Sequence, residues 1–168
     1  MSDIRINPIQ DKTLLILKRI QSQLSTYRGY KAGSDILIPS RIIHDEIMKR
    51  AEISNSNLRA AISNLESYGK MEEKKKGDEL LSRIEGIKSL KINFPDKQIP
   101  AKQEDIERLY SEDDEGFANA RELLDNVNSF RSASISGDYD PVVYNKIIEN
   151  IENINKYLKM RAGFISKS

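Results

Sequence analysis

The sequence predicts a mostly α-helical protein whose N-terminal domain contains a small β-hairpin and whose C-terminal region is all-α. Apolar residues recur at helical spacing along most of the chain, and a short β-prone run, Ile36–Ile38, ends at Pro39. Pro95 and Pro100 disfavour a continuous helix between the two parts. The expected parts are an N-terminal domain, a linker and a helical dimerisation or assembly region, over residues 1–92, 93–100 and 101–168.

Composition favours a binding module over an enzyme. The chain has 168 residues, with 27 Lys and Arg against 26 Asp and Glu, so its net charge is close to zero. It contains no Cys, which excludes disulfides, thiol catalysis and zinc–thiolate sites. No apolar run approaches the ~18 residues of a membrane span. We therefore expect a soluble, cytoplasmic protein without a membrane partner.

The charge is distributed unevenly between the two halves. Residues 1–92 hold 17 Lys and Arg against 12 Asp and Glu, a net charge of +5. Residues 93–168 hold 10 against 14, a net charge of −4. A basic half joined to an acidic half suggests that the two halves have different functions.

The basic half shows an ordered series of elements. Asn7 and Pro8 are suited to start a first helix, and a polar, glycine-containing stretch over 28–35 ends it. After the β-prone run, Ser40 is suited to cap a second helix that ends near residues 50–52. Ser54 is suited to cap a third helix, and Gly69 to end it. The inner stripe of that third helix is Leu58, Ala61, Ile62 and Leu65.

This order, and above all the segment from Ile53 to Lys70, resembles the winged helix-turn-helix superfamily. The Ser54 cap, the apolar stripe, Leu65-Glu66 and Gly69 carry the resemblance. It implies that the third helix, over 54–68, enters the DNA major groove and that residues 70–92 form a wing hairpin with the turn pair Gly77-Asp78. The alternative for this segment is a helix capped by Asp78.

The same resemblance implies a surface that binds double-stranded DNA. Asn and Arg can read base edges, Ser can hold a phosphate, and lysines at a wing tip can contact the DNA backbone. The candidate DNA-binding residues are Ser54, Asn55, Ser56, Asn57, Arg59, Ser63, Lys70, Lys74, Lys75 and Lys76.

The acidic half predicts three amphipathic helices. A short helix over Gln103–Tyr110 is followed by an interruption or cap at Ser111–Gly116, a second helical stripe, and a loop over 131–140. The last helix starts near Pro141 and carries a heptad-spaced seam. That seam, the candidate homodimer interface, is Tyr144, Ile147, Ile151, Ile154 and Leu158. The alternative is that the seam packs inside one chain, against Phe117, Leu124 and Phe130.

No motif points to a catalytic residue, a metal ligand or a cofactor. The sequence has no phosphate-binding glycine loop, His44 is the only histidine, and Glu112–Glu115 is more typical of a solvated loop or helix end than of a cation site. The leading hypothesis is a dimeric DNA-binding protein, either a transcription regulator or a plasmid or viral DNA-maintenance factor. The alternative is a module for protein–protein interaction that docks through its acidic half.

Overall fold

All regular structure in the described part of the chain, residues 8–168 of a computed structural model, is helical. A single 3-10 turn at Gln103–Asp105 precedes the fourth helix, and no strand occurs within these residues. The predicted fold class, a winged domain with a β-hairpin, is therefore wrong. The five helices are α1 (Pro8–Gln21), α2 (Leu37–Ser67), α3 (Met71–Lys88), α4 (Ile106–Ser134) and α5 (Pro141–Ser166).

Helices α2 to α5 form a four-helix bundle. Asn55 of α2 donates to Glu85 of α3 across 2.6 Å, near the C-terminal end of α3, so these two helices run antiparallel. Helices α4 and α5 are likewise antiparallel, since Asp113 contacts Arg161 while Asn126 contacts Asn150. Helix α2 lies beside α4 in the same direction, since Arg50 lies over Phe117 and Asn64 donates to Ser134. Helix α1 packs beside the first half of α4. One apolar core joins helices from both predicted regions.

The predicted helix-turn-helix is one uninterrupted helix, α2. Its segment 50–56 contains no Gly or Pro to end a helix, and Ala51, Ser54 and Leu58 are buried along one face. Ser54 is thus an interior residue rather than a cap. The phase predicted for residues 54–68 is confirmed, because the apolar stripe is buried while Ser56, Arg59 and Ser63 are exposed.

The start of α2 also replaces the predicted strand. Ile36 caps the helix with helical backbone angles, and Leu37 is its first residue, with both side chains buried. Pro39 lies in the first turn, where the missing N–H would have no helical acceptor anyway. Ile36 and Leu37 are therefore buried at the start of a helix and do not belong to a sheet.

The predicted wing is helix α3, which starts at Met71 rather than at Asp78. Gly77, expected in a turn, lies inside this helix, and a Cβ there would approach Ile62 of α2 to 2.7 Å. Glycine at this position therefore lets α3 pack closely on α2. Asp78 pairs with Lys74 one turn earlier at 3.2 Å and caps nothing.

The segment after α3 crosses the bundle in irregular conformation, at the position predicted for a linker. The backbone N–H of Ile92 donates to His44 Nε2 across 3.1 Å, and Ile36 N–H donates to the Ile99 carbonyl across 2.8 Å. Ile92 and Ile99 are both buried. This segment is therefore packed against the start of α2 beyond the end of α3.

The acidic half has two long helices instead of three. The predicted interruption at Ser111–Gly116 is wrong, because α4 continues through it. The loop is shorter than expected, over residues 135–140, and the start of α5 is as predicted: Asp140 accepts a hydrogen bond from Val142 N–H and Pro141 is the first helical residue. Among the described residues, no helix has the length and apolar character to span a bilayer. Asn7, the expected first cap, lies outside the described residues.

Candidate functional site

The predicted DNA-binding residues are divided between buried and exposed positions. Ser54 and Asn55 are buried, so neither can reach a DNA groove from the surface of this fold. Asn57 donates to Asn128 across 2.8 Å and accepts from Arg131 across 2.7 Å, which ties its side chain to α4. The more exposed members of the set are Ser56, Arg59, Ser63, Lys70, Lys75 and Lys76.

Most of the predicted DNA-binding cations already have a partner within the chain. Arg59 pairs with Glu85 at 3.3 Å, and Lys75 approaches Glu72 to 3.9 Å. The Lys76 ammonium lies over the ring of Tyr144, 5.1 Å from its centroid. Lys74 pairs with Asp78, so Lys70 is the one cation of this set without an ion pair or ring contact to any of the described residues. These pairings lower the positive charge that the surface can offer to a phosphate backbone.

The predicted dimer seam lies inside the bundle. All five seam residues are between 0% and 9% exposed. Phe117 and Phe130, proposed as internal partners, are buried in the same core, and Leu124, the third proposed partner, is half-buried. The chain thus covers the stripe itself, and the reason for expecting a second subunit there falls away.

A cluster of buried polar groups joins the N-terminal halves of α2 and α4 to the C-terminal half of α5. We call this cluster the closed polar centre. Asp113 of α4 is its acceptor: Tyr27 and Tyr30 donate to Oδ2 across 2.7 and 2.6 Å, and Tyr157 donates to Oδ1 across 3.0 Å. Arg161 Nη1 donates to the same Oδ1 across 2.7 Å. The members are Tyr27, Tyr30, Ser40, Glu112, Asp113, Tyr157 and Arg161.

Arg161 supplies the positive charge of the closed polar centre although it is 0% exposed. Its Nη1 also donates to Ser40 across 2.7 Å, and its Nη2 donates to the Leu109 carbonyl and to Glu112 across 3.2 and 3.3 Å. Burial acts to lower the pKa of Arg161, but the charges of Asp113, the two tyrosines Tyr157 and Tyr30, and Glu112 together outweigh burial and raise the pKa well above the usual value. The guanidinium therefore stays protonated.

Burial also acts on the acidic members of the closed polar centre. It raises the pKa of Asp113, against the opposing charge of Arg161 and the three tyrosine hydroxyls. Burial, reinforced by the charge of Asp113, raises the pKa of Tyr27 and Tyr30 well above the usual value. Four donors point at the two Asp113 oxygens.

The charged groups Asp113 and Arg161 of the closed polar centre are shut off from solvent, and the contacts of the centre hold elements of the fold together. Tyr27 and Tyr30 belong to the connection between α1 and α2, so Asp113 attaches that connection to α4. Sequence reasoning missed it because Asp113 was placed in a solvated loop. The available signal was Arg161, which interrupts the heptad seam where an apolar residue is expected.

A second polar cluster lines an open groove between the middle of α4 and the N-terminal half of α5. Asn150 of α5 donates to Asn119 and to Glu122 of α4, both across 3.1 Å. Asn126 donates to the side-chain carbonyl of Asn150 across 2.8 Å, and Asn153 donates to the side-chain carbonyl of Asn119 across 3.2 Å. The groove has a volume of about 490 Å³. Its lining residues are Asn119, Glu122, Asn126, Lys146, Glu149, Asn150 and Asn153, and we call it the α4–α5 groove.

The α4–α5 groove has unoccupied hydrogen-bond acceptors as well as unoccupied donors. Glu122 Oε1, the Glu149 carboxylate, and the side-chain carbonyls of Asn126 and Asn153 accept nothing from the described residues. Lys146 supplies the single ammonium group, so the lining carries a net charge of −1. Within the described residues, no three His, Asp or Glu side chains converge as metal ligands. The groove can bind a polar ligand that carries hydrogen-bond donors.

The groove residues were missed by sequence reasoning because they come from two helices that are distant in sequence. Asn119, Glu122 and Asn126 follow one another at helical spacing on α4, as Glu149, Asn150 and Asn153 do on α5. Such a pattern is typical of any solvated helix face. Asparagine within a helix is the one unusual sign, since its propensity there is low. Comparison with protein-family models, curated proteins and solved structures finds no match for this chain.

Proposed function

We propose that this chain is a protein–protein interaction module that binds its partner in the α4–α5 groove. The observation that carries the proposal is the groove itself: a cleft of about 490 Å³ whose floor is held by hydrogen-bonded asparagines and whose acceptors face solvent. Its two walls come from the acidic half of the chain. That half is the docking surface expected if the chain binds a protein.

The asparagine network supports a binding role because apolar residues would pack these helices better. Asn119 and Asn150 are buried at the helix–helix contact, at 8% and 4% exposure. Buried amides contribute little net stability even when they are hydrogen-bonded. A polar network at such a position fixes the two helices and presents further polar atoms to an incoming chain.

Site-specific photocrosslinking tests the proposal in cells that produce the protein. A photoreactive amino acid replaces Lys146, which lines the groove, or Lys159, an exposed lysine of the same helix that does not. We expect discrete protein adducts from position 146, and their loss when Asn150→Ala is added. Equal adducts from both positions, or none from position 146, would contradict the groove as a docking site.

Binding of double-stranded DNA stays a separate hypothesis. Its exposed residues are those on α2 and α3, and four of its five cations are already engaged within the chain. Fluorescence anisotropy with a DNA duplex at two salt concentrations measures it directly. Salt-dependent affinity that falls with Lys70→Ala would support DNA binding. No salt-dependent affinity would exclude it.

A homodimer and a cytoplasmic location also stay predictions. Because the seam is buried within one chain, a dimer requires another surface. Sedimentation at tens of micromolar measures the association state, and a monomer there would rule out a stable homodimer.

A further inference from the structure

We infer that the α4–α5 groove recognises an arginine side chain of the partner protein. The inference rests on the proposed function and names the chemistry of the partner. It rests on the acceptors that the groove leaves open: Glu122 Oε1, the Glu149 carboxylate, Asn126 Oδ1 and Asn153 Oδ1 all lack a hydrogen-bond donor among the described residues. A ligand with several donors can bind these acceptors together.

The charge of the groove indicates that the donors belong to a cation. Glu122 and Glu149 are two carboxylates against the one ammonium of Lys146. Phosphate and other anions bring acceptors and a negative charge, which this lining disfavours. A neutral amide or hydroxyl would satisfy hydrogen bonds but leave the excess carboxylate charge without a partner.

Among cationic side chains, arginine fits the lining better than lysine. Its planar guanidinium carries five N–H donors in a fixed fork, whereas an ammonium is a compact point charge with a strongly held water shell. Glu122 is held from below, since Asn150 donates to its Oε2 across 3.1 Å. Its Oε1 stays free for a guanidinium, and the amide carbonyls on either side can accept the remaining N–H groups.

The floor of the groove is preorganised for this contact. Asn150 uses both of its donors and accepts from Asn126, and Asn119 donates to the Glu115 backbone carbonyl across 2.9 Å. These side chains are therefore fixed before a ligand arrives. Fixed acceptors lower the ordering cost of binding.

Nuclear magnetic resonance with a minimal probe tests the inference. The ¹⁵N-labelled full chain is titrated with N-acetyl-argininamide, and the side-chain amide signals of Asn119, Asn126, Asn150 and Asn153 are followed. N-acetyl-citrullinamide is the matched probe, because it keeps the shape of arginine and lacks the charge. N-acetyl-lysinamide separates guanidinium recognition from general attraction of a cation. We expect saturable shifts of the groove amides that are strongest with the arginine probe.

A matched pair of variants locates the site. Glu122→Gln removes the groove carboxylate, and Glu152→Gln makes the same change on an exposed residue of α5 that does not line the groove. We expect Glu122→Gln to weaken arginine binding by about tenfold or more, since hydrogen bonds to charged groups are the stronger class. Glu152→Gln should leave the affinity unchanged. Circular dichroism confirms that both variants fold.

The outcomes separate this inference from the proposed function. Equal binding of the arginine and citrulline probes, shifts spread over all exposed carboxylates, or equal effects of the two variants would each overturn arginine recognition. If the photocrosslinks at position 146 form while the arginine probe does not bind, the interaction module stands and its ligand chemistry is different. If the arginine probe binds as expected while no crosslinked protein appears, the groove recognises guanidinium groups but the docking proposal fails.

Discussion

The closed polar centre and the α4–α5 groove are built on the same two helices, yet they differ in what their polar atoms can reach. In the closed polar centre, tyrosine rings and the connection between α1 and α2 cover Asp113 and Arg161, and both are 0% exposed. In the groove, the asparagine network has one side in the helix–helix contact and the other in solvent. The closed polar centre therefore stabilises the fold, while the α4–α5 groove has acceptors left for a ligand.

The comparison predicts its largest effect at Asp113. Asp113→Ala leaves the Arg161 guanidinium buried without its main counter-charge, and removing one partner of such a pair costs about 3–5 kcal/mol of folding free energy. Chemical denaturation measures the loss. The matched control is Asp114→Ala on the adjacent residue, whose pair with Arg19 is partly exposed and is worth less than about 1 kcal/mol. Equal losses in the two variants would show that the centre is not sealed.

A smaller effect is expected in the groove. Asn150→Ala removes three hydrogen bonds, but water can reach Glu122 and Asn126 from the open side, so we expect a loss of about 0.5–1.5 kcal/mol. The same denaturation experiment measures it. A loss comparable to that of Asp113→Ala would mean that the groove is as closed as the polar centre, and it would remove the distinction between them.

The smallest effect concerns pH at a partly buried polar contact. Tyr144 donates to Glu79 across 2.7 Å, and this hydrogen bond lowers the pKa of the Glu79 carboxyl below its usual value. A lowered pKa in the folded state gives stability that is present above the unfolded pKa and is lost as the pH falls through the folded pKa. The stability difference between the native chain and Tyr144→Phe should therefore shrink as the pH falls through the acid range.

At Asp113 the pH dependence of the contribution to stability has the opposite sign. Its pKa is raised by burial, so its own contribution to stability is present below the unfolded pKa and is lost as the pH rises through the folded pKa. Carbon-13 shifts of the two carboxyl groups should show Glu79 titrating below, and Asp113 above, the usual range. Titration of both groups at the same pH would contradict the difference in environment.

Helical periodicity was the more reliable signal in this sequence, whereas local start and stop signals were right at Asp140-Pro141 and wrong at several other positions. The apolar stripe of residues 54–68 predicted which side chains face the core. Ser54 and the Gly77-Asp78 pair predicted breaks that do not exist, because burial of Leu58 and close packing of α3 on Ile62 outweigh local turn preference. Neither polar cluster could be predicted, since each needs side chains from elements far apart in sequence.

The closed polar centre also has a consequence for the order in which the chain folds. Its groups come from residues 27 to 161, and Arg161 contacts Tyr30 across 131 residues of sequence. Pairings of such long range form late, after local helices. During synthesis Asp113 emerges from the ribosome before Arg161, and until Arg161 arrives its carboxylate has no cation to accompany it into the core. The closed polar centre is therefore complete only after α5 has been made, because Arg161 lies on that helix.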